Sequence, residues 1–270
     1  MPRILAVLMS VLAVSLAPAA DSREVEIVAH RGASFDAPEN TLASIKLAWE
    51  QQADAAEFDV FLSKDGKLVL MHDANTKRVA GVDKPVVEQT LEELRMLDVG
   101  KWKAERFAGE RIPTLDEVLA TVPTGKRVFI EVKCGPECMP ELDRAVKASK
   151  LKPEQCVIIS FSAEVVAATK KARPDLQALW IVSLNTPKGG KQKTAEELIE
   201  KAKVIKADGL DLSATSTVLD KDFATKVKAA GLKLCVWTVN DVELARKMID
   251  AGVEGITTDR PGFLREKLKQ

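Results

Sequence analysis

The chain has only two histidines in 270 residues, and each ends a strand-like run. His30 follows "EVEIVA" (24–29) and precedes Arg31 and Gly32; His72 closes "KLVLMH" (67–72). An imidazole changes charge near neutral pH and acts as general acid or general base. Two imidazoles at one site can therefore share both proton transfers of a hydrolysis. Glu57 and Asp59 stand two apart in "DAAEFDVFL" (54–62), hence on one face of a strand. Glu131 and Lys133 repeat that spacing at the end of "RVFIEV" (127–132), and Trp237 lies in "LKLCVWTV" (232–239). Three carboxylates converging on one point repel each other unless a divalent cation lies between them. An all-oxygen donor set calls for Ca²⁺ or Mg²⁺ rather than zinc or copper. Arg31 and Lys133 are suited to a phosphate group beside that ion.

These residues meet only if the fold brings their strand ends together. Short Val/Ile-rich runs at 24–29, 54–62, 127–132, 156–161, 177–182, 207–212, 232–239 and 254–258 alternate with amphipathic helical stretches. Thr41 or Asn40, Thr114, Ser162, Thr194, Asp220 and Asp241 are candidate N-caps, and Gly231 and Gly252 candidate helix ends. Eight strand–helix units in roughly 250 residues predict an α/β chain folded as a (β/α)₈ TIM barrel. An open doubly wound sheet is the runner-up, but "HRGASFDAPEN" lacks the glycine spacing of its phosphate loop. In a barrel of this kind the C-terminal strand ends form the site, and all the residues singled out above fall there.

One run breaks the alternation. Only "SKDGK" separates 67–72 from the preceding strand, too short for a parallel crossover. Asp65-Gly66 predicts a two-residue hairpin turn, which sets Asp59 opposite His72. The stretch 73–112 shows one short helix, about 88–96, and is expected to be a small insertion or lid above the barrel mouth.

Residues 1–20, "MPRILAVLMSVLAVSLAPAA", have the basic start, apolar core and small-residue end of a secretory signal. The expected organisation is a signal over 1–20, a single domain over 21–270, and a periplasmic or secreted product. No other run is long and apolar enough to span a membrane. Lys plus Arg and Asp plus Glu both number 40, so nothing calls for nucleic acid or an anionic membrane as partner. Cys134 and Cys138 are either a disulfide across "CGPEC" or two free thiols; Cys156 and Cys235 read as core residues.

The blocks "AHRGASFDAPENTLASIKLA", "AAEFDVFLSKDGKLVLMHDANTKRV", "ERIPTLDEVL", "FIEVK", "VWTVND" and "GITTDRPG" together resemble the glycerophosphodiester phosphodiesterase family, from about 27 to 262. The resemblance implies a TIM barrel like that of phosphatidylinositol-specific phospholipase C, and hydrolysis of glycerophosphodiesters to glycerol 3-phosphate and an alcohol. It places the catalytic histidines at His30 and His72 and the metal carboxylates at Glu57, Asp59 and Glu131. It places the phosphate-binding residues at Arg31 and Lys133, and the tryptophan beside the glycerol at Trp237. The block after His72 is looser than the family's pattern. A phospholipase D-like enzyme acting on lysophospholipids or sphingolipids, and a non-catalytic phosphodiester-binding protein, are the alternatives.

Overall fold

The computed structural model describes residues 25–185 and 190–270. The expected export signal over 1–20 lies outside them. Among the described residues nine strands form one sheet: β1 (Glu26–Ala29), β2 (Ala55–Leu62), β3 (Leu68–Leu70), β4 (Arg127–Val132), β5 (Cys156–Ser160), β6 (Gln177–Val182), β7 (Gly209–Ser213), β8 (Lys233–Trp237) and β9 (Gly255–Thr258). All but β3 run parallel. Because β1 pairs with both β2 and β9, the eight parallel strands close into the expected barrel. No helix among the described residues is long and apolar enough to cross a membrane.

Helices α1 (Leu42–Glu50), α2 (Lys77–Ala80), α3 (Leu91–Arg95), α4 (Leu115–Leu119), α5 (Met139–Ala148), α6 (Ala163–Ala172), α7 (Ala195–Val204), α8 (Lys221–Ala229), α9 (Val242–Ala251) and α10 (Pro261–Leu268) follow in chain order. The caps read from sequence are used. Thr41, Thr114, Ser162, Thr194, Asp220 and Asp241 each accept a hydrogen bond from the first turn of their helix. Outward strand residues such as Phe58, Ile130 and Ile158 pack with Leu115, Leu142 and Val165 of the helix layer. Inside the barrel Val28, Ala55, Phe129, Val157, Leu179 and Cys235 form an apolar plug. Each large side chain so buried contributes about 1.5–3 kcal/mol. The plug also gives the mouth above it a solid floor. All four cysteines are free thiols.

The hairpin differs from expectation by one residue. β2 and β3 pair with Val60 opposite Leu70 and Leu62 opposite Leu68, so Met71, not His72, lies opposite Asp59. The turn takes three residues, Lys64-Asp65-Gly66, with Ser63 bonded to Lys67 and Gly66 at φ +77°. A left-handed glycine closing a three-residue loop competes directly with the two-residue turn. Met71 is buried against Val79, Val86, Leu94 and Val99 of the insertion, which has its own small core. Within 73–112 the helical pieces are α2, α3 and single turns at Val86–Glu88 and Glu105–Phe107.

The loop after β1 is tightly held. Arg31, Gly32 and Asn40 all have positive φ, and Ser44 Oγ donates to the Arg31 carbonyl at 2.8 Å. A Cβ at position 32 would lie 2.5 Å from the Ser44 carbonyl carbon. Only glycine fits there, at φ +79°. Gly32→Ala is expected to cost at least about 2 kcal/mol, strain and overlap combined, read as a lower urea midpoint with an unchanged slope.

Candidate active site

The closed barrel turns spacing two into convergence. His30 lies one residue past β1, Glu57 and Asp59 face inward from β2, Glu131 from β4, and Trp237 ends β8. Lys133 stands just past β4. His30, Arg31, Glu57, His72, Glu131, Lys133 and Trp237 line one cavity of about 290 Å³, joined by Ile159, Phe161, Ile181 and Asp211. Asp59 sits directly behind, buried, with one oxygen within 4.8 Å of oxygens of Glu57 and Glu131. The structure thus gathers all eight residues expected in the site. A larger cavity, about 630 Å³, lies under the opposite end of the barrel. There Arg127 pairs with Glu26, and Arg127 and Lys233 both donate to the neutral Gln177 Oε1.

The carboxylates are held by groups that fix their direction. The Arg31 N–H donates to Glu57 Oε2 at 2.8 Å. Lys133 Nζ donates to Glu131 Oε1 at 2.9 Å and lies 3.4 Å from Asp59 Oδ1. Arg31 Nε lies 3.4 Å from Asp59 Oδ2. These cations do not saturate the cluster, since Glu57 Oε1 is buried with no hydrogen-bond partner. Burial, then the charges of Asp59 and Glu131, push Glu57 well above the ordinary carboxylate range. Burial and Asp59 raise Glu131 in the same way. Lys133 is raised: burial opposes its charge, but Asp59 and Glu131 outweigh that.

Each histidine has an aspartate behind it. His30 Nδ1 lies 2.6 Å from Asp259 Oδ1, and His72 Nδ1 lies 2.7 Å from Asp73 Oδ1. A carboxylate can only accept, so each Nδ1 carries hydrogen and each Nε2 is the ring nitrogen left for proton transfer. The two backing groups differ. Among the described residues the Asp259 carboxylate otherwise accepts only from neutral Ser34 and Asn240, whereas Asp73 also receives Arg78 Nε at 2.6 Å. Burial pulls Asp259 upward, but its bond to His30 and the His30 charge hold it far below the ordinary range. His72 is lowered, chiefly by burial, with Arg31 and Lys133 adding to the effect and Asp59 and Asp73 opposing it.

The model of the glycerophosphoryl diester phosphodiesterase family matches residues 30–263. A glycerophosphodiester phosphodiesterase of Caldanaerobacter subterraneus is 36% identical over 246 residues, covering 88% of this chain and 95% of that one. The chain belongs to the glycerophosphoryl diester phosphodiesterase family. A Bacillus subtilis glycerophosphodiester phosphodiesterase is 31% identical, over 90% of this chain and 86% of its own. Among solved structures, an Oleispira antarctica phosphodiesterase in complex with the product sn-glycerol-3-phosphate superposes with a TM-score of 0.82 at 29% identity, covering 91% of this chain and 97% of that one. A Thermotoga maritima glycerophosphodiester phosphodiesterase superposes with a TM-score of 0.71 at 27% identity, over 90% and 98% of the two chains. The chain is thus an enzyme of glycerophosphodiester hydrolysis.

In this family member the sequence reading missed four supporting residues. Asp259 and Asp73 orient the histidines. Asn40 is buried and clamps Asp59, its Nδ2 donating to Oδ2 at 2.8 Å and its Oδ1 accepting the Asp59 N–H at 3.1 Å. Thr41 takes the capping role, which leaves Asn40 free for this. Asp211, on β7, lies at the cavity floor. Asp73 is signalled by its place directly after His72, and Asp259 by standing one residue past a strand at the predicted mouth.

A raised carboxyl binds its proton more tightly folded than unfolded. Stability of the cation-free protein therefore falls as pH rises from the ordinary glutamate value of 4.5 through the raised value. Glu57→Gln removes that charge and keeps an acceptor for the Arg31 N–H. In cation-free protein at pH 7 it is expected to raise stability by about 1–3 kcal/mol and flatten the loss above pH 4.5. An added divalent cation is expected to stabilise the parent protein thermally, and the variant to lose that gain. Denaturant melts across pH, with and without the ions, measure all three.

Proposed function

We propose that the protein releases glycerol 3-phosphate from glycerophosphodiesters by two-histidine acid–base catalysis, with His72 as the first base and His30 as the first acid. The observation that carries this reading is the pair of aspartate-backed imidazoles beside one cavity that also holds two basic residues and three carboxylates. The donor set fits a hard divalent cation, Ca²⁺ or Mg²⁺. Glu57, Asp59 and Glu131 would hold it, and the unpartnered Glu57 Oε1 is a ligand position left over by the protein's own hydrogen bonds. Bound there, such an ion offsets charge on the phosphate and acidifies a nearby hydroxyl.

Arg31 and Lys133 orient the phosphodiester. Nε2 of His72 takes the proton of the glycerol C2 hydroxyl as its oxygen attacks phosphorus. The bond to the leaving alcohol breaks, and His30 supplies a proton from Nε2 to that oxygen. Asp259, whose charge is not shared with a cation, supports the imidazolium that His30 must be beforehand. His72 is the better initial acceptor because burial and the neighbouring cations keep it neutral. Water then opens the cyclic glycerol phosphate with the roles exchanged. Residues 1–20 support export, to the periplasm or the medium.

Glycerol 3-phosphate release from glycerophosphocholine, lost on chelation and restored by one ion, tests the reading and identifies the metal. The histidine roles separate by leaving group. Read as release of the alcohol in the first turnover, His30→Ala should lose roughly 10²–10⁴-fold on the choline ester and little on a p-nitrophenyl ester, whose alcohol leaves unprotonated, while the later opening of the cyclic phosphate, where His30 is the base, slows for both. His72→Ala should lose comparably on both. The opposite pattern would reverse the assignment, and full activity of either variant would end the scheme. An ester lacking the C2 hydroxyl should not turn over; turnover would mean direct attack by water.

A further inference from the structure

The cavity floor contains a carboxyl that the reaction above does not use. Asp211 is 2% exposed and shares the floor with Glu57, Ile159 and Thr257, which come from alternate strands of the barrel. Its Oδ1 is buried with no hydrogen-bond partner, and among the described residues no cation pairs with it. Beneath it is the apolar plug, with Phe129, Leu179 and Cys235, whose one polar hydrogen, the weakly donating Cys235 thiol, makes no bond to Asp211 Oδ1. Buried polar groups in native proteins are nearly always satisfied, so the partner of Asp211 has to come from the cavity side.

The chemistry of the substrate narrows that partner. The phosphate belongs between Arg31 and Lys133 at the strand ends. The leaving alcohol has to depart and belongs toward the open mouth, beside exposed Phe161. The glycerol moiety is then the part that points inward. Its C3 bears the phosphate, its C2 hydroxyl attacks, and its C1 hydroxyl reaches one carbon deeper. Trp237 walls this side, its Nε1 donating to the Asp211 carbonyl at 3.2 Å. We propose that Asp211 hydrogen-bonds the C1 hydroxyl of the glycerol moiety and selects substrates that carry it, an assignment that rests on the reaction proposed above. A hydroxyl both donates and accepts, so it satisfies the carboxyl whether or not Asp211 is protonated. Burial, with the charge of Glu131, pushes Asp211 up to about 8, which favours a neutral partner over an ammonium group. In this pose an acyl chain on that oxygen would run into the buried floor, so lysophospholipids are expected to be poor substrates.

The test compares glycerophosphocholine with its 1-deoxy analogue, 2-hydroxypropyl phosphocholine, which keeps the attacking hydroxyl. The parent protein should prefer the glycerol compound by roughly 10- to 100-fold in kcat/KM. Asp211→Leu should abolish the preference by slowing only the glycerol compound, and Asp211→Asn, which can still donate and accept, should keep most of it. Calorimetric binding of glycerol 3-phosphate against 2-hydroxypropyl phosphate should show the same pattern without turnover. A parent protein that takes both compounds equally overturns the proposal without any variant. So does a preference that survives in Asp211→Leu, or an equal loss on both compounds. A parent protein inactive on both, with its cation present, would instead refute the proposed reaction, and this assignment with it.

Discussion

The cavity is governed by a charge imbalance fixed in the barrel wall. Glu57, Asp59 and Glu131 are buried together, and only Arg31 and Lys133 lie close enough to compensate them. Three negative groups against two positive ones leave the cluster one charge short, in a place where water cannot make up the difference. A divalent cation turns that deficit into an excess of one positive charge. A phosphodiester, carrying one negative charge, then brings the set to neutrality. The same arrangement that burdens the ion-free fold therefore matches the charge of the substrate together with the ion.

Such an arrangement lasts only if the charged groups cannot swing apart. The strand register fixes their backbones, with Asp59 of β2 directly beside Glu131 of β4. The loop after β1 supplies the rest. Its backbone gives Glu57 a donor through the Arg31 N–H, and its Asn40 locks Asp59 on two sides. Arg31 is itself steadied by Glu39, which Arg78 of the insertion also grips through two nitrogens. Arg78 in turn reaches Asp73, the residue behind His72. One chain of ion pairs thus ties the first loop, the segment 73–112 and the residue behind the His72 imidazole together, which makes that segment part of the site's frame.

The sequence revealed those parts of this design that are local. Alternating strands and capped helices gave the barrel, because propensity, capping and hydrophobic period agree along the chain. Spacing two along β2 and β4 gave convergent side chains once the barrel was assumed. The hairpin register slipped by one, because Asp65-Gly66 supports two turn lengths and only the packing of Met71 against the insertion decides between them. The supporting residues are tertiary. Asp259 meets His30 across 229 positions of chain, and no local pattern encodes such a pairing. Asn40 sits at a helix start and looks like a cap until Thr41 is seen in that role. Asp211 lies in "ADGLDL", a strand that offers a second carboxyl at 208; only the closed barrel shows which of the two faces the cavity.

Four buried side-chain polar atoms lack a hydrogen-bond partner among the described residues: Arg31 Nε, which still faces Asp59 as an ion pair, Glu57 Oε1, Asp211 Oδ1 and Arg265 Nε. Three of the four belong to this one cavity. Native proteins tolerate such atoms rarely, since each forgoes a hydrogen bond while still losing its water. Scattered through the fold they would be packing defects. Gathered around one cavity, the two carboxyl oxygens are acceptors open to a ligand. A barrel selected for stability alone would have replaced Glu57 and Asp211 with apolar residues, as the layer just beneath them has. A binding protein would have no need to back both histidines with aspartates. Unsatisfied carboxyls and two oriented imidazoles in the same wall cost the fold stability, and they fit an enzyme of this family in which, as proposed above, the ligand completes the hydrogen bonding.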